Sequence, residues 1–121
     1  MVKKILIVDD EFFITRALFF MFKKEGYRCQ MAHEGQGAIE QIMHDKPDLI
    51  FMDVDMPEKD GYETAREIRS NPEWKDIHII MLTAKGQKTD KKKGLEAGAN
   101  DYILKPFDPR MTLQKVKQTI G

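Results

Sequence analysis

The sequence predicts an α/β fold, a doubly wound parallel sheet of five strands within one domain. Strand-like and helix-like segments alternate five times along the 121 residues. Such alternation is typical of right-handed crossover connections and of a parallel sheet covered on both faces. Most of the strand-like segments are short continuous apolar runs, as expected for strands buried on both sides.

Five segments have the length and apolar character of strands. Three segments predict buried strands: Ile5–Val8, which is continuously apolar; Leu49–Asp53, which is apolar up to its final aspartate; and Ile77–Leu82, which is apolar except for His78. Tyr27–Ala32 alternates apolar and polar residues, which is the period of a half-exposed edge strand. The short run Tyr102–Leu104 is the fifth predicted strand.

A helical segment follows each predicted strand. Phe12–Glu25 has helical length and is closed by Gly26, a residue typical of helix C-termini. The other helices are predicted from helical spacing and from their end signals: Ala38 to Met43, closed by Pro47; Tyr62 to Ile68, closed by Asn71-Pro72; Asp90–Ala97, capped by Gly98; and a last helix after the N-cap Asp108 and Pro109, with Leu113, Val116 and Ile120 as its buried stripe.

Composition excludes several classes of protein. Hydrophobic residues make up 41% of the chain, enough for a core, and 20 basic residues balance 20 acidic ones, which argues against direct binding to nucleic acid. No apolar run approaches the roughly 20 residues of a membrane span, and the N-terminal run is too short for a signal peptide. The single cysteine excludes an internal disulfide, and the three histidines lack zinc-site spacing. We therefore expect a cytoplasmic domain.

Four of the predicted strands end in a polar residue of a type that can accept or bind a phosphoryl group, directly or through a metal ion. Asp9, Asp10 and Glu11 follow the first strand, Asp53 ends the third, and the list is completed by Thr83 and Lys105 after the fourth and fifth. Ligands of open α/β sheets bind at the carboxyl edge, where these residues would meet. Adjacent carboxylates at a buried strand end repel each other unless a cation lies between them, and Mg²⁺ prefers such oxygen ligands.

The residue types at this edge suit transfer of a phosphoryl group. A carboxylate such as Asp53 can act as a nucleophile and form an acyl phosphate. A nearby Mg²⁺ would offset the repulsion between that carboxylate and the phosphate. Lys105 can pair first with the carboxylate and then with phosphoryl oxygens, and Thr83 offers a hydroxyl donor. Pro106 restricts Lys105 to an extended backbone or a cis turn.

Four motifs surround the polar strand ends: ILIVDDE at the first strand, MDVDMPEKDGYE around Asp53, IIMLTAKG at Thr83 and GLEAGANDYILKPFD through Lys105. With these motifs, the sequence from Lys4 to Ile120 resembles the receiver domain of two-component response regulators. The resemblance implies a flavodoxin-like (βα)5 domain over residues 1–121, with strand order 2-1-3-4-5. It leaves open whether this domain stands alone or belongs to a longer regulator.

The resemblance also implies a function and roles for the site residues. Asp53 would accept a phosphoryl group from a histidine kinase or a histidine phosphotransfer protein, which makes the domain a signalling switch and not a turnover enzyme. Mg²⁺, for which Mn²⁺ could substitute, would be held by Asp9, Asp10, Asp53 and the backbone carbonyl of Asp55. Lys105 would contact the phosphoryl group, Thr83 would move towards it, and Tyr102 would turn inward to regulate an unidentified output partner.

Two further sets of residues are expected to modulate the switch. The resemblance places Asp55 and Lys85 beside the phosphoryl group, where they influence its lifetime. Five of the seven phenylalanines lie in the first helix, too many for one buried face if Ile14, Leu18, Met21 and Phe22 point inward. Phe13, Ala17 and Phe20 then form a more exposed stripe, which is either extra core or neutral surface, or a docking patch. The resemblance implies that the first helix packs on the helices of the kinase, so we expect this stripe to dock the phosphodonor. A lysine-rich segment after Thr83 lies where receivers form phosphorylation-dependent dimers or bind output partners.

Three other interpretations remain open from the residues. Asp53-Val54-Asp55 matches the D-x-D nucleophile pair of haloacid-dehalogenase-type phosphatases, although that family places its metal-binding acids after the lysine. A flavodoxin-like cofactor binder would need a donor-rich loop where Asp9-Asp10-Glu11 would repel a phosphate. A degenerate receiver, used only for protein interaction, would not need the full set of acidic, hydroxyl and lysine residues.

Overall fold

Five parallel strands form one sheet. They are β1 Lys4–Val8, β2 Arg28–Ala32, β3 Leu49–Asp53, β4 His78–Thr83 and β5 Asp101–Leu104. Their order is β2-β1-β3-β4-β5, so the doubly wound, flavodoxin-like sheet is confirmed, and the alternating strand β2 lies at an edge. The computed structural model describes the backbone of residues 2–83 and 88–121, and the side chains of 2–83 and 92–121.

Five helices connect and follow the strands. They are α1 Phe12–Lys24, α2 Gly35–His44, α3 Gly61–Ser70, α4 Lys88–Glu96 and α5 Pro109–Ile120, with a 3-10 turn at Pro72–Trp74. Three of the predicted helix-capping residues have the expected geometry. Asp108 accepts a hydrogen bond from the Arg110 N–H at 2.9 Å, and Gly26 and Gly98 leave their helices with φ of 96° and 105°. None of the helices in the described part is long and apolar enough to cross a membrane.

Two apolar layers enclose the sheet. Alternate residues of a strand point to opposite faces, so Ile5 and Ile7 of β1 join the layer packed under α1 and α5, whereas Leu6 and Val8 join the layer under α2 and α3. The layer under α2 and α3 continues past the end of β3 through Val54 and Met56. At the carboxyl edge of the sheet, Asp9, Asp53 and Thr83 are buried.

The buried stripe of α1 differs in part from the prediction. Leu18 and Phe22 are fully buried and Ile14 and Met21 are half-buried, as the spacing indicated. The sequence did not indicate that the polar residue Thr15 is also fully buried. Its hydroxyl donates to the carbonyl of Phe12 at 3.0 Å, which satisfies the polar group inside the core.

Candidate functional site

Three carboxylates converge at the carboxyl edge of the sheet. Asp9 and Asp10 follow β1, and Asp53 is the last residue of the neighbouring strand β3. One oxygen from each lies within 4.8 Å of the other two. Asp9 and Asp53 are buried, whereas Asp10 is exposed. The donor set is all oxygen and carries a high negative charge, so it fits a hard divalent cation such as Mg²⁺.

Lys105, directly after β5, reaches into the same cluster. Its ammonium nitrogen lies 2.8 Å from Oδ2 of Asp9 and 3.3 Å from Oδ1 of Asp53. A longer contact of 3.5 Å joins it to Glu11. The backbone N–H of Lys105 donates to the carbonyl of Thr83 at 2.7 Å, and its peptide bond to Pro106 is cis, one of the two conformations predicted. The ammonium is therefore positioned to neutralise part of the acidic cluster.

Charges and burial shift the acid–base properties of this cluster. Burial and the nearby charge of Asp9 raise the pKa of Asp53 to about 7, although Lys105 acts in the opposite direction. Burial alone would lower the pKa of Lys105, but its hydrogen bond to Asp9 and the charge of Asp53 raise it overall. Lys105 therefore stays charged near neutral pH. A divalent cation at the carboxylates would favour the ionised form of Asp53, which is the nucleophilic form.

The other predicted phosphate and switch residues lie at the end of β4, within β5 and just after β3. Thr83 is buried and ends β4, next to the end of β3. Tyr102 pairs with Met81 in register and packs, half-buried, on the apolar layer under α2 and α3. Asp55 is exposed, and its N–H points to Oδ1 of Asp53 at 3.4 Å. Lys85 lies outside the described residues.

The three predicted docking residues share the outer surface of α1. Phe13 and Phe20 are 82% and 63% exposed, and Ala17 between them is exposed as well. Phe12, at 62% exposure, extends this surface towards the start of the helix. The structure thus brings the predicted stripe together on one exposed apolar face.

The sequence did not indicate any role for His33, which lies beside the site. Its Nδ1 is 3.0 Å from the backbone carbonyl of Asp9, and its ring packs against that of Phe12, with centroids 4.0 Å apart. Sequence patterns do not reveal a side chain that acts on a backbone atom of another element.

The chain is similar to known proteins over nearly all of its sequence. The family model of the response regulator receiver domain matches residues 5–117. Among solved structures, a Chloroflexus aurantiacus protein described as a response regulator is 38% identical, with a TM-score of 0.93 and 98% of each chain covered. The Vibrio cholerae chemotaxis protein CheY4 is 28% identical, with a TM-score of 0.94 and coverage of 99% of this chain and 100% of that one.

A third similar structure comes from a different kind of parent protein. It is the signal receiver domain of a signal transduction histidine kinase from Syntrophus aciditrophicus, 33% identical, with a TM-score of 0.91 and coverage of 98% of this chain and 90% of that one. The family match spans nearly the whole chain, and the similar structures cover 98% to 99% of it. The chain therefore belongs to the receiver domain family of two-component response regulators.

Proposed function

We propose that this receiver domain is a phosphorylation-dependent signalling switch whose phosphoacceptor is Asp53. The observation that supports the proposal is the meeting of Asp53, Asp10 and Lys105 at one edge: a nucleophile, an oxygen ligand for Mg²⁺ and a cation for phosphoryl oxygens. The donor is a histidine kinase or a histidine phosphotransfer protein. Residues 1–121 form one receiver domain, which acts in the cytoplasm. It acts on an output partner and does not bind nucleic acid directly. Phosphorylation promotes formation of a dimer.

The proposed step is an in-line transfer between two side chains. A carboxylate oxygen of Asp53 attacks the phosphorus of the donor phosphohistidine, the O–P bond of an acyl phosphate forms, and the N–P bond breaks. The imidazole leaves with the electron pair and takes up a proton from solvent. Mg²⁺, or Mn²⁺ in its place, would be held by Asp9, Asp10, Asp53 and the carbonyl of Asp55, and when bound would offset the charge of the phosphoryl group.

Lys105 and Thr83 complete the proposed switch. Lys105 exchanges its contact with the Asp53 carboxylate for the phosphoryl oxygens, which carry more charge. The Thr83 hydroxyl donates to one of these oxygens from the adjacent strand. Tyr102 then turns inward, and the surface around β4 and β5 changes for the output partner.

Labelling with a small donor tests the switch against the phosphatase interpretation. We expect acetyl phosphate to phosphorylate the protein only with Mg²⁺ present, without hydrolysis of unrelated phosphate esters such as p-nitrophenyl phosphate. Sustained ester hydrolysis that requires Asp55 would favour the haloacid-dehalogenase-type chemistry. Absence of any labelling would favour a degenerate receiver.

Asp10 is expected to be the main protein ligand of the metal. Because Asp10 is the exposed member of the cluster, its carboxylate is accessible to an arriving ion. Asp10→Ala should weaken Mg²⁺ binding by roughly tenfold or more, measured by NMR titration of residues near Asp53. Glu40→Ala, which removes an exposed acid of α2, is the matched control. Equal affinities of the two variants would exclude Asp10 as a ligand.

The exposed α1 stripe is expected to dock the phosphodonor protein. Phe20→Glu places a charge in an apolar contact surface, so transfer from the cognate phosphohistidine protein should slow by roughly tenfold. Labelling by acetyl phosphate should stay unchanged, because that donor needs no docking. Met43→Glu alters another exposed apolar residue, on α2, and serves as the control. A similar loss with both donors would mean that Phe20 supports the fold and not docking.

Asp55 and Lys85 are expected to set the lifetime of the acyl phosphate. If Asp55 orients the attacking water, Asp55→Ala slows dephosphorylation, and if the two residues shield the phosphoryl group as an ion pair, Lys85→Ala accelerates it. A barrier change of about 1.4 kcal/mol alters the rate tenfold. Decay of the phosphorylated protein in Mg²⁺ is measured for both variants and the double variant. Rates within about twofold of wild type throughout would remove both residues from this role.

A further inference from the structure

The chain at Asp9 is held by the end of β2 through two hydrogen bonds. The N–H of Asp9 donates to the carbonyl of Ala32 at 3.1 Å. The carbonyl of Asp9 lies 3.0 Å from Nδ1 of His33. A carbonyl oxygen can only accept, so Nδ1 of His33 carries the proton and donates it. The first bond continues the β1–β2 ladder, whereas the second depends on one side chain.

The carbonyl that His33 binds belongs to the peptide unit that leads into Asp10. This unit is planar, so a fixed Asp9 carbonyl also fixes the direction of the Asp10 N–H and the path of the chain into Asp10. Asp10 is exposed, and packing gives its carboxylate little restraint. The orientation of this backbone unit is therefore an important constraint on where the Asp10 carboxylate points.

His33 also contacts the other end of the same turn. Its ring packs against Phe12, the first residue of α1, with centroids 4.0 Å apart and an interplanar angle of 46°. Inside the turn, the N–H of Glu11 donates to Oδ1 of Asp9 at 2.9 Å. One imidazole thus spans the turn from Asp9 to Phe12 and holds the segment that contains Asp10.

We propose that His33 is a positioning residue for the cation site. Through its hydrogen bond to the Asp9 carbonyl, His33 holds the Asp10 carboxylate towards Asp53. The inference rests on the proposed function, because it assumes that Asp10 binds Mg²⁺. Groups that orient metal ligands without touching the metal commonly change affinity by about 10- to 100-fold. His33 acts through the backbone, so we expect a smaller loss, roughly three- to tenfold.

Two substitutions separate the hydrogen bond from the ring contact. His33→Phe keeps an aromatic ring against Phe12 but removes the donor. His33→Asn loses the ring but can place an amide N–H near the position of Nδ1. We expect His33→Phe to weaken Mg²⁺ binding roughly three- to tenfold in an NMR titration, and His33→Asn to stay within about twofold of wild type. His44→Phe, at an exposed histidine of α2, is the control.

A second readout distinguishes positioning from a general effect on the fold. Because His33 acts on the affinity for Mg²⁺, acetyl phosphate should label His33→Phe more slowly than wild type at low Mg²⁺. The labelling rate should return to the wild-type value when Mg²⁺ saturates the variant. Wild-type affinity in His33→Phe would overturn the inference, as would a loss in His33→Asn equal to that in His33→Phe. If His33→Phe does not fold, His33→Ala is compared with His33→Asn by the same criteria. Failure of the wild-type protein to bind Mg²⁺ would instead refute the proposed function, and the inference with it.

Discussion

Replacing Asp53 with asparagine should raise the free energy of unfolding of the metal-free protein by roughly 1–3 kcal/mol at about pH 8. Asp53 is 4% exposed, and its carboxylate lies within the same 4.8 Å cluster as those of Asp9 and Asp10. Ionisation of such a group destabilises the folded state, as its raised pKa of about 7 indicates. Asparagine has a similar shape without the charge. Urea unfolding of the two proteins without divalent cations measures the difference.

The stability difference should depend on pH in a defined direction. The pKa of Asp53 is about 7 in the folded protein and near 4 in an unfolded chain, so the folded state binds more protons between these values. The contribution of Asp53 to the free energy of unfolding of the wild-type protein therefore becomes more favourable as the pH falls from about 7 towards 4. Above about pH 7 the full destabilisation by the ionised carboxylate is present. Asp53→Asn lacks this contribution. The difference in free energy of unfolding between Asp53→Asn and wild type should therefore be smaller at about pH 5 than at about pH 8. Saturating Mg²⁺ should also reduce this difference at about pH 8.

This comparison cancels the contributions of other titrating groups. Burial lowers the pKa of His78, for example, and both proteins share that effect. A gap that stays constant from about pH 5 to 8 would contradict the electrostatic explanation. A less stable asparagine variant at about pH 8 would mean that the pairing with Lys105 outweighs burial and repulsion.

Gly61→Ala should destabilise the protein by about 3 kcal/mol or more and disturb the site. Gly61 begins α3 and donates its N–H to the carbonyl of Val54 at 3.0 Å. A Cβ at this position would lie 2.3 Å from the backbone oxygen of Asp53 and 2.9 Å from Cα of Val54. Both atoms belong to the backbone after β3, so relief of the clash must move the segment that carries the phosphoacceptor.

Gly37→Ala in α2 is the matched control. A Cβ there would approach Cγ of Glu34 no closer than 3.5 Å, an ordinary contact. Alanine is favoured over glycine in a helix by roughly 0.5–1 kcal/mol, so this variant should be slightly more stable than wild type. Urea unfolding and Mg²⁺ titration are measured for both variants. Equal stability of the two alanine variants would refute the steric argument at Gly61.

Much of the fold was predictable because each strand has its own local signal. The apolar runs at β1, β3 and β4 and the alternation at β2 identified both the buried strands and an edge. The start of α2 at Gly35 was not predictable, because Gly35 and Gly37 favour helix poorly and the apolar repeat begins at Ala38. The strand order came from the family resemblance and not from periodicity.

The acidic edge was also predictable, since parallel strands bring their carboxyl ends together. The pairing of Lys105 with both Asp9 and Asp53 follows from that topology. The contact of Lys105 with Glu11 and that of His33 with the Asp9 carbonyl depend on rotamers and loop paths, which leave no pattern in the sequence. The exposure of Phe13 and Phe20 was predictable because one helix face cannot bury so many aromatic rings.

The position of the phosphoryl group is the most direct test of the central claim. The protein is incubated with acetyl phosphate and Mg²⁺, reduced with borohydride to convert an aspartyl phosphate into homoserine, and digested for mass spectrometry. We predict homoserine at position 53 alone, dependent on Mg²⁺, with no converted residue in Asp53→Asn. Conversion of a different aspartate in the wild-type protein, or persistent phosphorylation of Asp53→Asn, would contradict the assignment of Asp53 as the phosphoacceptor.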